Sequence, residues 1–282
     1  GPRALLAAGL RRRLKAIGIE SAEAIEAHLP DEEREGASLA VKIGRLGAQT
    51  AGHVREGLYA GERVLVLAGD DTAAIGVVSG LQQAYGADAS IGVVWLDAHA
   101  DFNTPETSFS GILAGMPVAI LAGLAGPLWR DAAQLRAPVS TDRILIAGVR
   151  ETDEKEEILL RSTNVRVLTT EEVRRGTQFE NAVDRFAAAV DHIALHIDLA
   201  VLDPSLVPSA STPAPNGLTI KAASRMIAYV LATGKTATVT VTSLNPGAGA
   251  RGDRSVQSAL TLLENAMGHW KPREGVANHA ES

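Results

Sequence analysis

The chain has 282 residues, of which 46% are hydrophobic and 21% charged, enough to bury one substantial core, and a doubly wound α/β sheet of this size commonly forms a single domain. A formal net charge of −6 gives no basic field for holding phosphate backbones, which sets a nucleic-acid role aside, and the lack of cysteine excludes disulfides, thiolate ligands and a cysteine nucleophile. Any metal must therefore be held by Asp, Glu, His, carbonyls or water.

Residues 4 to 17 place Leu6, Leu10, Leu14 and Ile17 at helical spacing, and residues 37 to 60 repeat the pattern with Leu39, Ile43, Leu46, Val54 and Leu58. The run Arg11, Arg12, Arg13 sits late in the first of these helices, where cations meet the negative end of the helix dipole, and reads as a solvated face. Short apolar runs rich in branched residues follow: Arg63 to Leu67, Ile91 to Leu96, Arg143 to Val149, Val165 to Leu168, His192 to Ile197 and Thr236 to Val241. Segments long enough for crossover helices separate most of them (72 to 85, 115 to 124, 177 to 190 and 219 to 232). This pattern predicts βαβ connections, a mainly parallel doubly wound sheet and a three-layer α-β-α architecture. One domain is expected over 1 to 270, with Lys271 to Ser282 as a polar tail. No stretch reaches the ~18 to 20 apolar residues of a membrane span, and the N-terminus lacks the basic-then-apolar order of a signal peptide. The expectation is a soluble cytoplasmic protein with no membrane or nucleic-acid partner.

Ligands of such sheets bind outside the carboxyl ends of the strands. Three strand ends carry acids or histidine: Gly69-Asp70-Asp71-Thr72, Asp97-Ala98-His99-Ala100-Asp101, and His196-Ile197-Asp198 followed by Asp203-Pro204. Carboxylates gathered there repel unless a cation or a proton neutralises them. In an extended segment residues two apart point the same way, so Asp97, His99 and Asp101 are expected to converge. The plainer reading is that Asp70 or Asp71 caps the following helix and that Asp97 closes a turn.

The segment Trp95-Leu96-Asp97-Ala98-His99-Ala100-Asp101-Phe102-Asn103-Thr104-Pro105, running on through Ser110-Gly111 to Gly115-Met116-Pro117, resembles the signature of arginases, agmatinases and formimidoylglutamases. Ala68-Gly69-Asp70-Asp71-Thr72 is similar to that family's Gly-Gly-Asp-His-Ser strand end, and Asp198-Leu199-Ala200-Val201-Leu202-Asp203-Pro204 to its Asp-x-Asp-x-x-Asp-Pro segment. The resemblance covers about residues 1 to 266 and implies an arginase-like fold, here without the N-terminal strand that normally precedes the first helix. It also implies a two-manganese centre and assembly into trimers or hexamers.

By position, the resemblance makes Asp71, Asp97, His99, Asp101 and Asp198 the metal ligands. Asp71 and Asp101 are the catalytic candidates, with Asp71 a ligand or base, and Asn103, Ser108, Ser110 and Asp153 line the substrate site. It breaks at four positions. Asp71 stands where the family has a ligating histidine, Ala200 where it has a chelating aspartate, Ala114 where it has a proton-shuttling histidine, and Ser243 where a glutamate pairs with the guanidinium. His196 shares a strand face with Asp198 and is either a compensating ligand or a hydrogen-bonded core residue. Losing a proton donor costs ~10²- to 10⁴-fold in rate. Two expectations follow. One is a metal-dependent hydrolase of carbon–nitrogen bonds in linear amidines or amides that is not a standard arginase. The other is a non-catalytic member with a regulatory or assembly role and no small-molecule substrate.

Overall fold

A computed structural model describes residues 1–271, so the tail expectation beyond Lys271 lies outside the described residues. Six strands form one sheet: β1 Val64–Leu67, β2 Ile91–Leu96, β3 Ile144–Val149, β4 Arg166–Thr169, β5 His192–Asp198 and β6 Thr236–Thr242. Their order is β1-β6-β5-β2-β3-β4, and every neighbouring pair is parallel.

Strands β2, β3, β5 and β6 are buried along their whole length, as continuous apolar or threonine-rich runs require when both faces of a parallel sheet are covered. Alternate residues feed two cores. Val94 and Leu96 join Leu145, Ile197 and Val239 beneath the helices Gln178–Ala189, Ile220–Ala232 and Ala250–Met267. Val93 and Trp95 join Ile144, Ile146 and Ala194 beneath Leu39–Tyr59, Ala73–Tyr85 and Pro117–Leu121. The result is three layers, α-β-α.

Two helical details depart from the sequence reading. The helix expected over 4 to 17 is two, Pro2–Ala7 and Leu10–Ala16, because Gly9 takes φ +93, a left-handed conformation that interrupts the helical ladder. The helix Ala250–Met267 was not among the expected elements, although its buried Val256, Ala259, Leu260, Leu263 and Met267 follow helical spacing.

The helices Leu39–Tyr59 and Ala73–Tyr85 touch backbone to backbone. A Cβ placed on Gly76 would lie 2.4 Å from the carbonyl oxygen of Gly47 and 2.7 Å from its Cα, so the helices must part to admit one. Gly76→Ala is therefore expected to destabilise by about 1 to 3 kcal/mol despite alanine's better helix propensity, measured by denaturant unfolding. An unchanged midpoint would contradict this packing.

Candidate metal centre

The carboxyl ends of β1, β2, β5 and β6 open onto one buried acidic cluster. Asp71 follows β1, Asp97 and Asp101 follow β2, and each offers a carboxylate oxygen within 4.8 Å of the other two. All three side chains are buried. The capping role divides between neighbours. Asp70 Oδ1 accepts from Thr72 N at 3.0 Å and Thr72 Oγ1 at 2.5 Å, so Asp70 organises the turn into the helix and Asp71 faces inward.

Each carboxylate is held by the strands beside it. Asp71 Oδ1 accepts from Thr242 Oγ1 at 2.6 Å and lies 2.8 Å from His196 Nε2, while its Oδ2 has a 3.4 Å contact from Ser243 Oγ. Asp97 accepts from the backbone N–H of His99 at 3.1 Å and from Trp95 Nε1 at 3.3 Å, closing a turn and pointing into the cluster at once. Asp101 sits at φ +49 with its Oδ2 buried and unpartnered. Its loop is fixed by Val118 N donating to the Asp101 carbonyl at 3.0 Å and by Phe102 N donating to buried Glu156 Oε1 at 2.7 Å.

His99 and Asp198 border this group, outside the three acids whose oxygens lie within 4.8 Å of one another. The chain beyond Leu96 bends through His99. Its Nδ1 lies 3.4 Å from Asp97 Oδ1 and its Nε2 3.5 Å from Glu151 Oε2. Asp198 Oδ1 accepts from Ala200 N at 2.5 Å and its Oδ2 from Ser243 Oγ at 2.6 Å. His196 lies flat on Trp95, with centroids 3.6 Å apart and planes 5° apart, as a hydrogen-bonded core residue rather than a member of the acidic group.

The expected substrate-lining residues have local partners. Asn103 Nδ2 donates to Asp153 Oδ2 at 3.2 Å. Ser108 Oγ accepts from Gly111 N at 2.9 Å and Ser110 Oγ from Ile112 N at 3.3 Å, the bonds of ordinary turn residues. Asp153 caps the helix Glu154–Arg161 in a capping box with Glu156. Glu156 was not among the sequence candidates, although Asp153-Glu154-Lys155-Glu156 carries the spacing of that box.

Crowding sets the protonation of the cluster. Burial first, and then the neighbouring Asp97 charge, push Asp71 up to about 7. Burial and the charges of Asp97 and Asp71 hold Asp101 well above the usual carboxylate range, and burial with the same two neighbours does so for Asp198. Burial opposes the charged form of His99, but the hydrogen bond and charge of Asp97 outweigh it and hold His99 up at about 9. Burial drives His196 down to about 4, leaving it neutral. Buried acids crowded in this way have the electrostatics of a site built for a cation.

The same arrangement of strands and motifs is found in known proteins. The model of the Arginase family matches residues 1–268. The chain belongs to the arginase family. Arginase of Neurospora crassa is 32% identical over 236 residues, which are 79% of this chain and 64% of that protein, so the match spans just under two thirds of the relative's length. Hepatic arginase of Aquarana catesbeiana is 29% identical over 301 aligned positions, covering 100% of this chain and 90% of the relative. Among solved structures, arginase from Bacillus subtilis superposes with a TM-score of 0.84 at 28% identity, covering 95% of this chain and 91% of that one. Formimidoylglutamase from the same species shares the fold, with a TM-score of 0.73 at 18% identity over 95% of this chain and 81% of that one. Of the positions where the resemblance breaks, Ala200 and Ser243 are buried and Ala114 is half-buried.

Proposed function

We propose that this chain is a metal-dependent hydrolase of the arginase family with a single all-oxygen cation site, cleaving a carbon–nitrogen bond in a linear amidine or amide and not arginine itself. The observation that carries the reading is the convergence of Asp71, Asp97 and Asp101, with the buried Asp101 Oδ2 unpartnered. Three carboxylates and no sulfur suit a hard divalent ion, manganese first, with magnesium or calcium as alternatives. A second ion fits poorly. Asp198 stands outside the converging trio, Ala200 supplies no ligand, and His99 lies between Asp97 and Glu151.

A bound divalent ion supplies Lewis acidity and a more acidic coordinated water. The protein's own residues orient and enclose. Trp95 Nε1 and the His99 N–H fix Asp97, and Glu156 fixes the Asp101 loop through Phe102 N. A cationic guanidinium loses its charge-assisted anchor where Ser243 stands, because the hydroxyl there is committed to Asp198. That argues against a guanidinium substrate and, of the two classes, for a neutral amide ahead of a cationic amidine.

The test is metal content per chain after manganese loading, followed by a turnover screen of guanidino, formimino and acetylated amine compounds. One ion with turnover of a non-arginine compound is expected. No turnover in any metallated form would leave the second reading, a non-catalytic member retaining one ion, which the half-buried methyl of Ala114 and the engaged Ser243 favour. Asp71→His combined with Ala200→Asp is expected to raise the count from one ion to two, read by elemental analysis. Two ions already present in the unmodified protein would contradict the one-site reading.

A further inference from the structure

We propose that His196 is the positioning residue that makes Asp71 a cation ligand, by holding one carboxylate oxygen so that the other is presented to the ion. The inference rests on the one-ion reading and deepens it.

The geometry around Asp71 is one-sided. Oδ1 is met by Thr242 Oγ1 at 2.6 Å and His196 Nε2 at 2.8 Å, two short contacts from neighbouring strands. Oδ2 has the looser 3.4 Å contact from Ser243. A carboxylate clamped through one oxygen has its rotation fixed, which leaves the more loosely held Oδ2 as the ligand atom offered to the group that Asp71 forms with Asp97 and Asp101. The imidazole is itself immobile. It is 2% exposed, stacked on the Trp95 indole, and borders a small apolar cavity of about 10 Å³ lined by Val77, Val93 and Ala194. Its Nδ1 has no hydrogen-bond partner among the described residues. A neutral imidazole carries one proton. An ionised Asp71, the form a cation takes, can only accept, so the tautomer that serves a ligating Asp71 is Nε2–H, with His196 as the donor.

Trp95 belongs to the same device, since its ring face fixes His196 while its Nε1 donates to Asp97 Oδ2. One indole therefore supports two of the three acids, one directly and one through the histidine. Outer partners of this kind govern metal affinity by roughly 10- to 100-fold.

The experiment uses the full chain, titrated with manganese by calorimetry after chelator treatment, with thermal melts of the metal-free protein alongside. His196→Phe keeps a ring against Trp95 and removes the donor. It is expected to weaken manganese binding roughly 10- to 100-fold, and His196→Gln, which can present an N–H, to recover most of that loss. A purely structural histidine would not show recovery by the donor-bearing variant. Thr242→Val removes the other Oδ1 partner, keeps the side-chain volume, and is expected to weaken binding in the same direction. Unchanged affinity in His196→Phe, or equal loss in the Phe and Gln variants, overturns the inference. Should the His196 variants fail to fold, unchanged affinity in Thr242→Val overturns it. An unmodified protein that takes up no manganese fails the one-ion reading itself, a result distinct from any of these.

Discussion

Asp101→Asn is expected to make the metal-free protein more stable and the metal-bound state harder to form. Asparagine keeps the volume and tolerates the left-handed φ of +49 that position 101 requires, so the change removes charge without adding backbone strain. In the metal-free chain it relieves crowding of Asp101 against Asp97, Asp71 and Asp198, so the melting temperature at pH 8 should rise. Manganese affinity should fall about 10²-fold or more, since removing one charge from a buried ion pair costs on the order of 3 kcal/mol. Opposite signs in the two measurements mark a residue kept for binding at the expense of stability. Lower metal-free stability with unchanged manganese affinity would sink the assignment of Asp101 to the cation site.

The second large effect is a pH dependence whose sign reverses with metal. Asp71 stands at about 7 in the fold against 3.8 ordinarily, so between those values the folded chain holds a proton that the unfolded chain releases, and stability falls as pH rises. His99 stands at about 9 against 6.5, so the stability it contributes is complete below 6.5 and is lost as pH rises through 9. His196, at about 4, acts the other way, costing stability as pH falls from 6.5. Below 6.5 the Asp71 and His196 effects oppose one another. Between 6.5 and 9 the remaining Asp71 effect and that of His99 agree, and the metal-free chain should lose a few kcal/mol across that window. A cation favours the ionised carboxylates, so its stabilisation should grow over the same interval, with proton release on manganese addition near pH 6.5. Melting curves with chelator and with saturating manganese provide the check. Parallel pH profiles in the two would show that the cation does not meet these acids.

The sheet was legible in the sequence because its central strands are buried on both faces, which forces continuous branched runs at β2, β3, β5 and β6 that nothing else in the chain imitates. The helix ends were less so. Gly9 is a single residue inside an otherwise unbroken apolar period, and only its φ reveals the break. Within the site, Asp97 and Asp101 were visible as a motif, yet the motif assumes an extended backbone. The bend after Leu96 takes His99 toward Glu151, which sequence spacing cannot show. The bond from Ser243 to Asp198 joins positions 45 apart, and that from Thr242 to Asp71 positions 171 apart. Hydroxyl partners at such separations leave no local pattern. Glu156 was the exception, since its capping-box spacing was there to be found.

The strand order carries one further consequence, for the timing of assembly. All three acids of the cluster are encoded before residue 102, but β1, which leads to Asp71, and β2, which leads to Asp97 and Asp101, are not neighbours. β6 and β5 lie between them, and both come from the distal third of the chain. A nascent chain that has already emitted every acid of the group cannot gather them until those two strands insert, and pairing at such sequence separation is slow. A cation held by this group would therefore enter late, reporting a finished sheet rather than seeding its formation.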